Sequence, residues 1–212
     1  MSLVVDRFEL GPLQTNCYVV RRERGAAEAI VVDPGGDVSE LRLALARMGA
    51  EVAAILLTHG HWDHVLGVAD LAEASAAPVY LGEAELPELE SGGPELMGFP
   101  PIRRFSPDHL LGGGEKLALA GLEVEVVLVP GHRPGHMAFA IDGCLFSGDV
   151  LFRGSVGRAD LPGGDWPTLM ATLELLVQRF PPETVVYSGH GPETTLAAEL
   201  RSNPFLTELR AR

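Results

Sequence analysis

Seven consecutive residues, Thr58-His59-Gly60-His61-Trp62-Asp63-His64, gather three imidazoles and a carboxylate in a chain that has only seven histidines. His59 and His61 stand two apart, so they cannot share one face of a helix, whereas an extended turn points both the same way. Imidazole and carboxylate are ligands that zinc and similar ions prefer, and a protein site usually supplies at least three. The bland alternative, a solvated polar turn, is disfavoured because few windows hold this many ligand types. Three further candidates occupy one recurring setting: His132 after Pro130-Gly131, Asp149 after Ser147-Gly148, and His190 after Ser188-Gly189. Each follows an apolar run that reads as a strand. Open α/β sheets place ligands beyond the carboxyl ends of their strands, where glycines let the backbone approach a centre closely. Singly, each could be a hydrogen-bonded loop histidine or a turn aspartate.

Together, seven ligands are too many for one tetrahedral ion and suit two. Our division gives His59, His61 and His132 to one metal and Asp63, His64 and His190 to the other, with Asp149 bridging. Two cations at short range repel, so a bridging carboxylate and a bridging hydroxide are needed to hold them, and that hydroxide is a nucleophile for a carbonyl or phosphoryl group.

The elements that must carry these groups are legible as short Val/Ile/Leu runs alternating with helix-period segments, the pattern of an α/β protein with mixed sheets. Strands are predicted at Val4 to Leu10, Cys17 to Arg21, Ala29 to Asp33, Val52 to Leu57 and Pro78 to Leu81. Between them, a helix with Asp37 as N-cap and Glu40 at the capping-box position buries Leu41, Leu45 and Met48 and stops at Gly49. A second helix is predicted through Leu66 to Ala74, followed by a Pro/Gly-punctuated surface stretch from Pro87 to Pro107. The second half has strands at Leu117 to Leu119, Leu122 to Val129, Met137 to Ile141, Cys144 to Phe146 and Val185 to Tyr187. Asp142-Gly143 signals a type I′ hairpin turn. A loop from Asp149 to Gly164 leads to a helix capped by Asp165 with Leu169, Leu173, Leu176 and Val177 buried, and short helical patterns close the chain at Thr195 to Arg201 and Pro204 to Arg210. Two strand-rich halves, each followed by helices, imply two sheets packed face to face with helices outside.

The 212 residues suit one domain, residues 1–212. Sixteen Lys and Arg against 29 Asp and Glu leave a net charge of -13, a field that repels nucleic-acid phosphates and anionic lipid surfaces. No apolar run reaches membrane-span length, and Asp6 and Arg7 interrupt the N-terminus before a signal-peptide core could form, so a cytoplasmic location is expected. Cys17 and Cys144 sit in apolar runs outside any C-x-x-C pair, which argues against a disulfide framework and for packing as small apolar side chains.

The run Thr58 to His64, the segment Pro130-Gly131-His132-Arg133-Pro134-Gly135-His136, Ser147-Gly148-Asp149 and Ser188-Gly189-His190-Gly191-Pro192 resemble the metallo-β-lactamase fold superfamily, and within it the glyoxalase II group. The likeness runs from about Leu10 to Leu206. It implies a four-layer αβ/βα sandwich with the metal centre at one edge and two divalent ions, zinc first, with iron or manganese as alternatives. The implied activity is hydrolysis of an S-acylated thiol such as S-lactoylglutathione by a metal-bridging hydroxide. By the same resemblance Asp63 also orients the hydroxide, Asp149 acts in catalysis, and Arg158 in Ser155-Val156-Gly157-Arg158 anchors a substrate carboxylate. A guanidinium suits that task, although a surface salt bridge would explain it too.

True β-lactamases commonly carry a cysteine where Asp149 stands, which favours the branch with glyoxalase II and lactonases. Ala159, Asp160 and Pro192 occupy places where the longer glyoxalase II proteins have glutathione-gripping tyrosines, and the helical C-terminal domain of those proteins has no counterpart in this sequence. The alternative is a persulfide dioxygenase, suggested by Gly157-Arg158-Ala159-Asp160, with His59, His132 and Asp149 on a single iron. A metal-binding module without turnover is a third reading. His136 is expected either beside the metal site or satisfied by loop backbone, His109 in a solvated loop, and Trp62 packed beneath the ligand loop.

Overall fold

A strand buried on both faces reads as an unbroken apolar run, and the centre of the first sheet is made of such strands. In the computed structural model, which describes residues 3–90 and 103–211, this sheet contains β1 (Val4–Leu10), β2 (Thr15–Arg21), β3 (Glu28–Val32), β4 (Glu51–Leu56), β5 (Val79–Gly82) and β6 (His109–Leu111), hydrogen-bonded in that order. β1, β2 and β3 are antiparallel neighbours, and β3 through β6 run parallel. The second sheet starts with the meander β7 (Lys116–Leu119), β8 (Leu122–Leu128), β9 (Met137–Ile141) and β10 (Cys144–Gly148). After a small hairpin of β11 (Leu151–Phe152) and β12 (Ser155–Val156), it is completed by β13 (Val185–Ser188), parallel to β10, and β14 (Thr194–Thr195).

Period-two alternation divides the apolar side chains among three layers. On β2, Cys17 and Val19 face the layer beneath α1 (Ser39–Met48), while Tyr18 and Val20 face the second sheet. Two four- and eight-residue helices, α2 (Trp62–Val65) and α3 (Val68–Ser75), follow β4. Leu41 and Leu45 of α1 and Val68 and Leu71 of α3 cover the outside of the first sheet. Ile30, Val32 and Leu56 meet Val126, Met137, Phe139 and Phe146 between the sheets. The short α4 (Leu86–Glu90) follows β5, whereas α5 (Trp166–Arg179) and α6 (Leu196–Ser202) cover the second sheet through Leu169, Leu173, Leu176 and Leu196. The result is the four-layer αβ/βα sandwich. No helix among the described residues is long and apolar enough to cross a membrane.

Strand direction decides where the chemistry can sit. β8 and β10 are both antiparallel to β9 and therefore run the same way, as does β13, so His132, Asp149 and His190 leave the second sheet at one edge. β3 and β4 likewise end together, and antiparallel β2 begins there, bringing Thr15 and Asn16 alongside Asp33 and Thr58.

Several local expectations need correction. The cap of α1 is Val38, without a side-chain cap bond; Asp37 instead accepts the Ser39 N–H in a local turn, so the capping-box reading fails. The helix predicted over Leu66 to Ala74 is α3, which starts at Val68 after a turn in which the Gly67 N–H donates to the Pro34 carbonyl; the separate α2 precedes it, inside the ligand run. The 149–164 loop contains the β11–β12 hairpin, and His109 lies on edge strand β6 rather than in a loop, exposed and stacked on Tyr80 at 4.4 Å. Of the stretch from Pro87 to Pro107, residues up to Glu90 are helical, and residues 91–102 lie outside the described part. Asp142 and Gly143 have φ of 45° and 78°, as a type I′ turn requires, and Asp165 caps α5 by accepting the Thr168 N–H. Both cysteines are free, Cys17 buried and Cys144 half-buried.

Candidate metal centre

All seven sequence-predicted groups converge at the common edge, drawn from both sheets. Three of their imidazoles are oriented from behind. His64 Nδ1 lies 2.9 Å from Asp33 Oδ2 and His132 Nδ1 lies 2.7 Å from the Arg158 carbonyl; both partners only accept, so each Nδ1 carries the proton. Thr58 gives its one hydroxyl proton to Asp33 Oδ2 (2.7 Å), so its Oγ1 accepts from His59 Nδ1 at 3.0 Å. Each of these rings then turns its Nε2 inward, the edge through which metal-ligating histidines bind.

The inward atoms form two adjoining groups. His61 Nδ1 is 2.9 Å from His59 Nε2 and 3.0 Å from His132 Nε2. Asp63 Oδ2 is 3.5 Å from His64 Nε2 and 3.3 Å from His190 Nε2. Ligands about 2.0–2.1 Å from a tetrahedral ion stand roughly 3.3 Å from each other, so both triads have the spacing of donors that share a cation. His64 Nε2 and Asp149 Oδ1 are buried without a hydrogen-bond partner, 3.4 Å apart. Imidazole and carboxylate ligand atoms crowded this closely, two of them buried without a hydrogen-bond partner, suit divalent ions. These residues fit the metal centre that the fold implies.

Burial sets the protonation states. Desolvation pushes His59 and His132 down, and His61 to about 3, leaving the neutral imidazoles that a metal ion requires. Burial acts the same way on His64 and His190, but surrounding carboxylates outweigh it and raise both. Burial would raise Asp63 and Asp149; the neighbouring His64 charge overcomes it, so both stay below the usual carboxylate range and remain ionised. Gly189 permits this crowding: a Cβ there would fall 2.2 Å from Asp149 Oδ1 and 2.6 Å from His64 Cε1.

His136 is buried beside the centre. Its Nε2 accepts the Asp149 N–H at 3.1 Å and its ring stacks on His59, so of its two expected settings it takes the one at the centre. Trp62 packs against the core under the loop as expected. Arg158 divides its functions: its carbonyl orients His132, while its exposed guanidinium forms a bidentate pair with Asp160 at 2.7 and 2.8 Å.

Three supporting residues escape sequence reasoning. Asp33, at φ 50°, accepts from Thr58 twice and from His64. Such a conformation is uncommon outside glycine and concentrates at functional sites. Its signal is Asp33-Pro34-Gly35-Gly36 directly after β3, the strand-then-glycine setting that marks the ligands themselves. Thr15 donates to Asp63 Oδ2 at 2.9 Å, and Asn16 Nδ2 donates to the Ser188 and Gly191 carbonyls at 2.8 Å, bracketing His190.

A family model described as the metallo-beta-lactamase superfamily matches residues 10–190. The chain is 34% identical over 208 residues to a Haemophilus influenzae protein named hydroxyacylglutathione hydrolase GloC, covering 95% of this chain and 97% of that protein. It also resembles the crystal structure of BLEG-1 B3 metallo-beta-lactamase, with a TM-score of 0.89, 40% identity, and coverage of 96% of this chain and 100% of that one. A crystal structure of TTHA1623 in a di-iron-bound form matches with a TM-score of 0.85 and 43% identity over 95% of this chain and 100% of that one. Ligand-bearing strand ends, back-oriented imidazoles and these whole-length likenesses have one common explanation: the chain is a metallo-hydrolase belonging to the metallo-beta-lactamase superfamily.

Proposed function

We propose that this metallo-hydrolase cleaves thioesters in the manner of glyoxalase II, taking S-acylated thiols such as S-lactoylglutathione. The carrying observation is the place of Asp149 between the triads: Oδ1 faces His64 Nε2 at 3.4 Å, and Oδ2 faces His190 Nε2 at 3.6 Å and His132 Nε2 at 3.8 Å. A carboxylate so placed would be shared by two ions, zinc first among the candidates; His59, His61 and His132 would hold one, and Asp63, His64 and His190 the other. Bound there, the ions supply Lewis acidity for the thioester carbonyl and lower the pKa of water. Asp63, kept ionised and fixed by Thr15, accepts a hydrogen bond from the attacking water and aims it. A thiolate with a pKa near about 8.5 departs without protonation, which suits a site built of acceptors and ligating imidazoles. The name of the Haemophilus influenzae relative supports the same substrate class.

β-Lactam hydrolysis is the second reading, favoured by the name of BLEG-1. Single-iron persulfide oxidation through His59, His132 and Asp149 leaves the convergent Asp63–His64–His190 triad without a task. The test pairs metal analysis of protein from its own host with three assays: S-lactoylglutathione hydrolysis, β-lactam hydrolysis, and oxygen uptake with glutathione persulfide. Thioester hydrolysis without oxygen uptake is expected. Oxygen uptake with one iron, or turnover confined to β-lactams, overturns the proposal.

Arg158 is proposed as the anchor for a substrate carboxylate, exchanging its pairing with Asp160 for the ligand. Since the guanidinium is exposed, Arg158→Ala is expected to raise KM about tenfold and leave kcat within about twofold, the signature of lost uniform binding. Steady-state kinetics check this, and an unchanged KM removes Arg158 from the substrate site.

A further inference from the structure

Glu85, in the turn after β5, is fully buried, and its oxygens are committed to the backbone that carries one triad. Oε2 accepts from the Gly60 N–H at 3.0 Å and from Arg133 Nε at 3.0 Å, while Oε1 accepts from the Gly135 N–H at 2.9 Å. Gly60 separates His59 from His61, and Arg133 directly follows His132. A single carboxylate thereby ties together the two loops, one from each sheet, that bear His59, His61 and His132. Arg133 extends the clamp, giving Nη1 to the Pro162 carbonyl at 2.9 Å and Nη2 to Glu88 at 3.2 Å. The other triad has separate supports: Thr15 on Asp63, and Asn16 with Tyr18 on the backbone around His190. Asp33 reaches both triads, through His64 and through Thr58, and so does not distinguish them.

We infer that the buried Glu85–Arg133 pair is a positioning device for the His59–His61–His132 ion position alone, so that the two ions are tuned by independent anchors. This rests on the two-ion reading above. Burying a paired charge contributes little net stability compared with apolar packing, whereas filling each carboxylate oxygen with a backbone or guanidinium donor fixes loop geometry. Partners behind metal ligands typically change affinity by about 10–100-fold when removed.

Zinc titration of metal-free protein, followed by dialysis and by imidazole NMR, tests this. Wild type is read first and must take two equivalents; one equivalent defeats the two-ion reading, and this inference with it. In Glu85→Gln, one equivalent is expected to bind as in wild type and the other about 10–100-fold more weakly. At one equivalent, the His64 and His190 resonances should shift while those of His61 and His132 wait for excess zinc. Thr15→Val should give the opposite order. Arg133→Lys, which keeps the charge and loses the fork, should show a smaller loss at the same position, and it carries the test if Glu85→Gln does not fold. Equal weakening of both equivalents, accompanied by a lower melting temperature of the metal-free protein, would mean that Glu85 only supports the fold. Unchanged binding of both would overturn the inference equally.

Discussion

Asp149→Ala is expected to leave thioester hydrolysis at about one thousandth of the wild-type rate or less. Metal centres contribute several kcal/mol of transition-state stabilisation, and each 1.36 kcal/mol is a factor of about ten. The substitution removes the one carboxylate among the described residues that faces imidazoles of both triads. It spares the scaffold, because the contact from residue 149 to His136 is made by the backbone N–H. Loss of rate should therefore come with a native melting profile in metal-free form and with reduced metal content, measured on the same preparation. Activity within tenfold of wild type would remove Asp149 from the reaction.

Metal removal is the second large effect. An ion present at a thousand times its dissociation constant stabilises the protein that binds it by about 4.1 kcal/mol. A domain of this size shifts its melting temperature by about 2–4 °C per kcal/mol. Exhaustive chelation should therefore lower Tm by about 10 °C and abolish turnover, with both restored by adding back zinc, iron or manganese singly. Comparing the three restored rates ranks the metals. The direction follows from the structure, since without cations Asp63 and Asp149 share a dry pocket with five imidazoles, and His64 Nε2 and Asp149 Oδ1 have no partner. An unchanged melting curve and undiminished hydrolysis after chelation would dispose of the metal requirement.

The convergent candidate ligands are the most legible part of the sequence, because each of His132, Asp149 and His190 repeats one local signature, an apolar run followed by glycine. Asp33 carries a related signature, but its glycines follow it instead of preceding it, so it reads as a strand terminus. The break between α2 and α3 hides for a different reason. Asp63 and His64 occupy buried helical positions where periodicity calls for apolar residues, so an amphipathic pattern emerges only from Leu66 onward. Two-residue pairings such as β11 with β12 are too short to alternate visibly. Thr15, Asn16 and Glu85 are buried polar residues whose partners lie 25 or more positions away. Nothing local announces them, since their cost is offset only by contacts that the folded chain creates. The cap at Val38 is a case of a favourable local motif losing to the geometry with which the chain enters the helix.

Because residue 158 steadies His132 through its main chain while its side chain points into solvent, what the side chain does is decoupled from the support of that imidazole. Any amino acid there still presents the same carbonyl. Side chains at 158 and 160 can therefore be exchanged, by evolution or by an engineer, while the support behind His132 stays in tune.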